Sequence, residues 1–133
     1  MIGQHDFRNF CKMDVGNGVI TFFRRLENVT CQVIDDKNDE YATCELIIEG
    51  SSFLWHQIRC IVALLFLVGQ KKEDHSIITE LFDVEKHPCK PQYTMSSEIP
   101  LVLFDCQYNI VKNWIYDHLE TEKVIKTMQD SWV

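Results

Sequence analysis

Ser52-Phe53-Leu54-Trp55-His56-Gln57-Ile58-Arg59-Cys60-Ile61-Val62-Ala63-Leu64-Leu65-Phe66-Leu67-Val68-Gly69 is the stretch whose reading decides the fold. It predicts a helix from about Phe53 to Val68, since Gly50-Ser51-Ser52 offers a stop and hydroxyl caps on one side and Gly69 closes the other. That helix is apolar on almost every face, so it is expected to lie buried against a sheet. Upstream, Val19-Ile20-Thr21-Phe22-Phe23 is β-branched and aromatic, and Val29, Cys31 and Val33 alternate with Thr30, Gln32 and Ile34. Residues 19–34 therefore read as one bent strand or two short ones, with the bend near Glu27-Asn28. Asp35-Asp36-Lys37-Asn38-Asp39-Glu40 reads as a solvated hairpin loop, and the next strand sets Ala42, Cys44, Leu46 and Ile48 on a buried face.

Working outward, Asp6 before Phe7-Arg8-Asn9-Phe10-Cys11 predicts a capped helical turn, and Gly16-Asn17-Gly18 a turn. A second helix is expected from Asp74 to about Val84, with Ile77, Ile78, Leu81 and Phe82 as its packing stripe. His87-Pro88-Cys89-Lys90-Pro91 ends it, and a loop leads to Pro100. Leu101 to Tyr108 reads as a third strand, Ile115-Tyr116 as an edge strand and Glu120 to Gln129 as a terminal helix. Strands joined by hairpin-type connections, with helices gathered to one side, make an α+β fold: an antiparallel sheet with helices packed on one face.

The 133 residues are 46% hydrophobic, enough for one folded unit with a core. Thirteen Lys plus Arg face twenty Asp plus Glu, a formal charge of −7, which argues against a freestanding, sequence-independent nucleic-acid binder. The longest apolar run, Cys60 to Val68, is too short to span a bilayer. No positively charged segment precedes a greasy one at the N-terminus, so the expectation is a soluble, untargeted protein of the cytoplasm or nucleus. The six cysteines form no CxxC, which makes zinc unexpected. They read as buried or inert thiols in a reducing compartment.

Arg59 is the residue most at odds with its surroundings. An unpaired guanidinium inside such an apolar helix costs several kcal/mol, so it must reach solvent, enter a cleft or meet a carboxylate. His56, three residues earlier, is expected on the same helical face. Two readings stand: the polar wall of a pocket, or a structural ion pair beside a half-exposed histidine. His5-Asp6-Phe7 is a second candidate, also explained by Asp6 capping a turn while Phe7 enters the core. Lys12, Arg24 and Arg25 form the one concentrated basic group, which a solvated strand surface explains as well. A thiol nucleophile built from Cys60 with His56, or Cys11 with His5, requires a lowered thiol pKa that an apolar setting does not supply.

Read together, Gly3-Gln4-His5-Asp6-Phe7-Arg8-Asn9-Phe10-Cys11, then Ser52-Phe53-Leu54-Trp55-His56-Gln57-Ile58-Arg59 with Val68-Gly69, then Pro100-Leu101-Val102-Leu103-Phe104-Asp105-Cys106, resemble the C-terminal half of the catalytic domain of TruA-type tRNA pseudouridine synthases. Cys11-Lys12-Met13-Asp14 and Lys90-Pro91-Gln92-Tyr93 lean toward the eukaryotic branch that modifies uridines of the anticodon stem-loop, the 38/39 type. The resemblance implies residues 1–118 as the half-domain and 119–133 as a terminal helical extension.

The activity it implies is isomerisation of uridine to its C-glycoside on a base flipped out of tRNA, with no metal and no cofactor. The family's catalytic Asp lies in an Arg-x-(Thr/Ser)-Asp-x-Gly-Val motif that is absent from this chain. By the resemblance, Arg59 pairs with that missing Asp, His56 lines the pocket and Leu101 lies near the target base. Lys12 contributes to the RNA groove, and His5, Asp6 and Phe7 support the rim. The expectation is a half-domain that is inactive alone, with Met1 a cut or truncated start. It binds tRNA when joined to its other half, touches no membrane, and is able to dimerise through an open sheet edge or its helices. The alternative is a non-catalytic RNA-binding or assembly module with the same fold.

Overall fold

The fold grows from one long β-ribbon. In a computed structural model, which describes residues 1–13, 16, 18–38, 41–108, 110, 115 and 117–131, strand β2 (Phe23–Asn38) turns back into β3 (Tyr41–Gly50), and β1 (Gly3–Asp6) lies along the other side of β2. Both pairings are antiparallel, in the order β1-β2-β3. The expected bend is real: the register slips between Leu26 and Asn28, leaving Glu27 as an extra residue that twists the ribbon. Gly50 is required where β3 ends, because a Cβ there would meet the Arg25 carbonyl oxygen at 2.9 Å and the Phe53 ring at 3.1 Å.

The remaining elements are a single 3-10 turn (Arg8–Phe10) and the helices α1 (Gln57–Gly69), α2 (Ser76–Glu80) and α3 (His118–Asp130). The chain divides into two compact units, Met1–Leu101 and Val102–Val133. In the first, Phe7, Phe10, Leu26, Ile61, Leu64 and Leu81 form one buried cluster. The helix α1 thus packs on the sheet face that carries Leu26. His5 and Phe10 stack on Phe82 at 4.4 and 4.6 Å between ring centroids, and the Phe7 ring meets it edge-on. Asn9, fully buried, ties this turn to the α2 segment by donating from Nδ2 to the carbonyls of Leu81 (2.9 Å) and His87 (2.7 Å). In the second unit, Asp117 caps α3 by accepting from the amides of Leu119 and Glu120.

Several expectations change. Residues 101–108 are not a strand: the strands of the described residues are β1, β2 and β3, and Leu103 and Phe104 are 80% and 91% exposed. An apolar run becomes a strand only where its backbone finds a partner, whereas Gly3–Asp6, poor in β-formers, is a strand because it pairs with β2. The helix over 53–68 starts later, at Gln57, and no serine hydroxyl caps it. The second helix is a short α2 that decays into tighter turns, because Asp83 gathers the amides of Glu85 and Lys86 into a new loop. Its expected stripe does pack on the core. The hairpin loop is also shorter, since the β2 backbone continues to Asn38 through two irregular steps.

Cys31, Cys44, Cys89 and Cys106 are exposed, and only Cys11 and Cys60 are buried. The outer part of the ribbon extends past the core, so its alternation has nothing to face. Asn17 of the expected turn, Asp39 and Glu40 of the loop and Tyr116 of the expected edge strand lie outside the described residues.

This division of the ribbon from the core is measurable. Asn9→Ala removes two hydrogen bonds made by a fully buried side chain and is expected to lower unfolding stability by about 1–3 kcal/mol. Cys31→Ser, on the exposed ribbon, is expected to change it by less than about 0.5 kcal/mol. Urea midpoints of the two variants test the contrast, and equal losses would reject it.

Candidate RNA-modification site

The site is built where the sheet hands the chain to α1. Leu54 and Gln57 close a tight turn on each other: the Gln57 amide donates to the Leu54 carbonyl (3.0 Å), and the Leu54 amide donates to Gln57 Oε1 (2.7 Å). Gln57 is 1% exposed, so this bracket is shielded from water. It forces His56 into the left-handed region, φ 58 and ψ 14, as the N-cap of α1. A non-glycine residue there carries strain of order 1 kcal/mol, a conformation held by the surrounding structure. His56 and Arg59 are therefore not two residues of one helical face. His56 sits on the turn before the helix, and Arg59 lies in its first turn.

The His56 ring stacks on Trp55 with centroids 4.4 Å apart, and its Nδ1 is buried with no hydrogen-bond partner among the described residues. Trp55 is anchored in turn by Lys12, whose amide donates to the Trp55 carbonyl at 3.0 Å and whose Nζ stands 5.0 Å from the indole ring. Burial, then the charges of Arg59 and Lys12, hold the His56 imidazole below its ordinary pKa, while Glu98 pulls it upward. Lys12, Arg59 and Glu98 thus all act on His56.

Arg59 is gripped at both ends. Its Nε donates to the Ser96 carbonyl (2.8 Å), and its own carbonyl accepts from the Ser96 amide (3.3 Å) and hydroxyl (3.0 Å). Its Nη2 meets Glu98 Oε2 at 2.8 Å, with the arginine side chain 19% and the glutamate 68% exposed. Leu101 follows one turn on, its amide donating to the Glu98 carbonyl (2.9 Å), and it is half exposed.

His5, Asp6 and Phe7 belong to a different neighbourhood. Asp6 accepts the Arg8 amide at 3.0 Å and the Arg8 guanidinium at 2.7 and 3.1 Å, which together hold its carboxyl below the usual range despite burial. Phe7 is in the core, and His5 Nε2 donates to the Ile2 carbonyl. Arg24 Nη1 donates to the carbonyls of Thr21 and Phe23, and Arg25 pairs with Glu27 on the open strand surface.

The thiol route is closed. Burial lifts the Cys60 thiol, and Cys11 is pushed up to about 11, so both stay protonated near neutral pH. Among the described residues no cluster of three or more His, Cys, Asp or Glu side chains could hold a metal ion, and no helix is long and apolar enough to cross a membrane.

Sequence reasoning required a partner for Arg59 and missed Glu98, although it is the lone carboxylate between Glu85 and Asp105. It also missed Ser96, Trp55, Lys90 and Tyr93. Lys90 Nζ lies 3.6 Å from the Tyr93 ring, whose hydroxyl donates to the Asn9 carbonyl (3.0 Å). Nothing local in the sequence separates Ser96 from an ordinary loop position, while Trp55, Lys90 and Tyr93 stand in strings that carry the family resemblance but give no role.

Comparison with known proteins bears on this arrangement. Human tRNA pseudouridine(38/39) synthase is 46% identical over 137 residues, covering 98% of this chain and 28% of the human protein. The Saccharomyces cerevisiae tRNA pseudouridine(38/39) synthase is 42% identical over 125 residues, covering 94% of this chain and 27% of that protein. The Methanocaldococcus jannaschii tRNA pseudouridine synthase A is 32% identical over 127 residues, 92% of this chain and 43% of that protein. The chain therefore spans well under half the length of these relatives. Residues 1–109, which hold the whole Lys12–Trp55–His56–Arg59–Glu98–Leu101 arrangement, match the family described as tRNA pseudouridine synthase, and the chain belongs to that family.

Proposed function

We propose that this chain is part of an isomerase that converts uridine to pseudouridine in the tRNA anticodon stem-loop, in the cytoplasm or nucleus. In this reading residues 1–118 supply half of the catalytic domain, 119–133 are an extension, and the other half carries the catalytic Asp. The relatives named for positions 38 and 39 support the choice of stem-loop.

One observation carries the reading. Arg59 is locked to the Ser96 backbone through Nε, while its Nη2 end meets a carboxylate that is mostly in water. A guanidinium so held is oriented before any substrate arrives, and it can give up an exposed Glu98 for an incoming carboxylate with little desolvation. Paired with the catalytic Asp, it keeps that group ionised and aimed at the sugar of a flipped uridine. His56 and Leu101 then border the base, and Lys12 lies toward the RNA backbone. Uridine and pseudouridine are isomers, so the net reaction consumes no co-reactant.

Pseudouridine formation on tRNA tests this. Activity is expected only when the half bearing the catalytic Asp is supplied. In that complex Arg59→Ala is expected to lower the rate by about 100-fold, the scale of loss when a positioned group is misplaced. An Arg59→Ala complex at full rate would remove the role given to Arg59. Tight tRNA binding with no activity in any complex would favour the non-catalytic RNA-binding or assembly module instead.

A second test reads electrostatics. The His56 imidazole is expected to titrate below its ordinary range by NMR, Lys12→Ala to move it up and Glu98→Gln to move it further down. Because the folded pKa is the lower one, the unfolded chain binds more protons in the window between the two values. Stability therefore rises with pH across that window, and the His56 contribution is lost as pH falls through it. A titration curve indifferent to Lys12→Ala would break the link.

In a sheet ordered β1-β2-β3, β3 is a long open edge, and self-association through it belongs to the same reading. Sedimentation velocity is expected to show a concentration-dependent dimer. A strict monomer at the highest concentration would count against it.

A further inference from the structure

Beside the Arg59 site lies a second concavity of about 450 Å³, set between the 8–13 segment and the 88–95 loop. Among the described residues its walls carry three cationic side chains, Arg8, Lys12 and Lys90, and no carboxylate, in a chain of formal charge −7. The three cations are not equivalent. Arg8 is neutralised by Asp6 through two hydrogen bonds to Oδ2 at 2.7 and 3.1 Å, so it offers little net charge. Lys12 and Lys90 make no salt bridge among the described residues, and each ammonium is seated against an aromatic ring, Trp55 and Tyr93 respectively.

Lys12 is exposed and Lys90 half-buried, with Lys90 Nζ also donating to the Pro91 carbonyl (3.3 Å), and a lysine held on a π-face with no carboxylate partner is pre-positioned. It lacks an anion. Two such lysines along one groove suit the evenly charged backbone of a single nucleic-acid strand, whose bases have aromatic faces to stack on. The groove is also joined to the Arg59 site by the chain itself, since Trp55 precedes His56 and the 88–95 wall runs directly into Ser96.

We infer that the groove between Lys12 and Lys90 takes backbone phosphates of the unpaired RNA strand next to the target uridine. This rests on the proposed function and assigns a new subsite within it, with Lys90, Tyr93 and Trp55 as its determinants. Lys12 and Lys90 contact phosphate, while the two rings hold them in place.

The experiment is binding of a fluorescein-labelled anticodon stem-loop RNA to this chain by anisotropy, over a series of salt concentrations starting at low ionic strength. Lys12→Ala and Lys90→Ala are each expected to weaken binding several-fold and to flatten the slope of log affinity against log salt by about 0.7, the value for one phosphate contact on a single strand. Lys90→Arg is expected to keep the slope. Lys72→Ala, beyond the far end of α1 and so roughly 20 Å of helix away, is expected to leave it unchanged. The proposal is overturned if the unaltered chain binds no RNA, or if the groove variants behave like Lys72→Ala. It is equally overturned if the groove variants lose affinity for inorganic phosphate while their RNA anisotropy stays unchanged, because the site is then a free-anion site.

The two readings can fail separately. A complex that forms pseudouridine but shows unaltered salt slopes in the groove variants loses only the groove. A chain whose groove binds RNA, while no complex forms pseudouridine, loses only the catalytic reading.

Discussion

The Arg59–Ser96 clamp is the interaction on which the rest of the molecule's candidate chemistry depends. A guanidinium in the first turn of an apolar helix has few places to go, and here the backbone of a distant loop receives it, with reciprocal hydrogen bonds in both directions. Because the loop contributes carbonyl and hydroxyl groups, the arginine is satisfied without surrendering its Nη2 end to a buried carboxylate. The result is a cation fixed in position while its reactive end remains available, with Glu98 as an exposed companion. The same clamp draws Leu101 and the 88–96 loop toward the start of α1, so the groove wall and the arginine are set by one event.

The left-handed His56 is the second constraint. Gln57 brackets Leu54 from both sides, and a turn so tight has to be closed by a residue at positive φ. Glycine would adopt that backbone more easily. Histidine there bears the strain and gains a ring stacked on Trp55, an unpartnered buried nitrogen and a depressed pKa. Backbone strain of this kind persists only where the surroundings over-determine it, and here the buried Gln57 side chain does so.

What could be read from sequence follows the range of the forces involved. The ribbon, its bend at Glu27, the core stripe Ile77-Ile78-Leu81-Phe82 and the terminal helix were legible because periodicity and capping act over a few residues. The need for a partner at Arg59 was legible too, since desolvation energy is local. The identity of that partner was not, because Ser96 and Glu98 lie nearly forty positions away and a loop carries no periodicity. Residues 101–108 misled for a related reason: their pattern is that of a strand, but a strand also needs a backbone partner, which the weakly β-forming Gly3–Asp6 has in β2. The buried thiols failed likewise, since alternation in β2 and β3 says nothing about where the core ends.

The −7 charge and a cationic groove are compatible once the range of each charge is considered. At ionic strengths near 0.1 M a solvent-exposed charge is screened over about 10 Å, so carboxylates farther away than that act weakly on a phosphate held beside Lys12. What a phosphate feels is the local set, and locally Asp6 is cancelled by Arg8 while Lys12 and Lys90 remain uncancelled. The distant acids still matter at low salt, where they slow the approach of a polyanion without changing the groove that receives it. Net charge therefore sets how strongly this chain repels RNA at a distance. The aromatic seats of two lysines set where the backbone rests once it arrives.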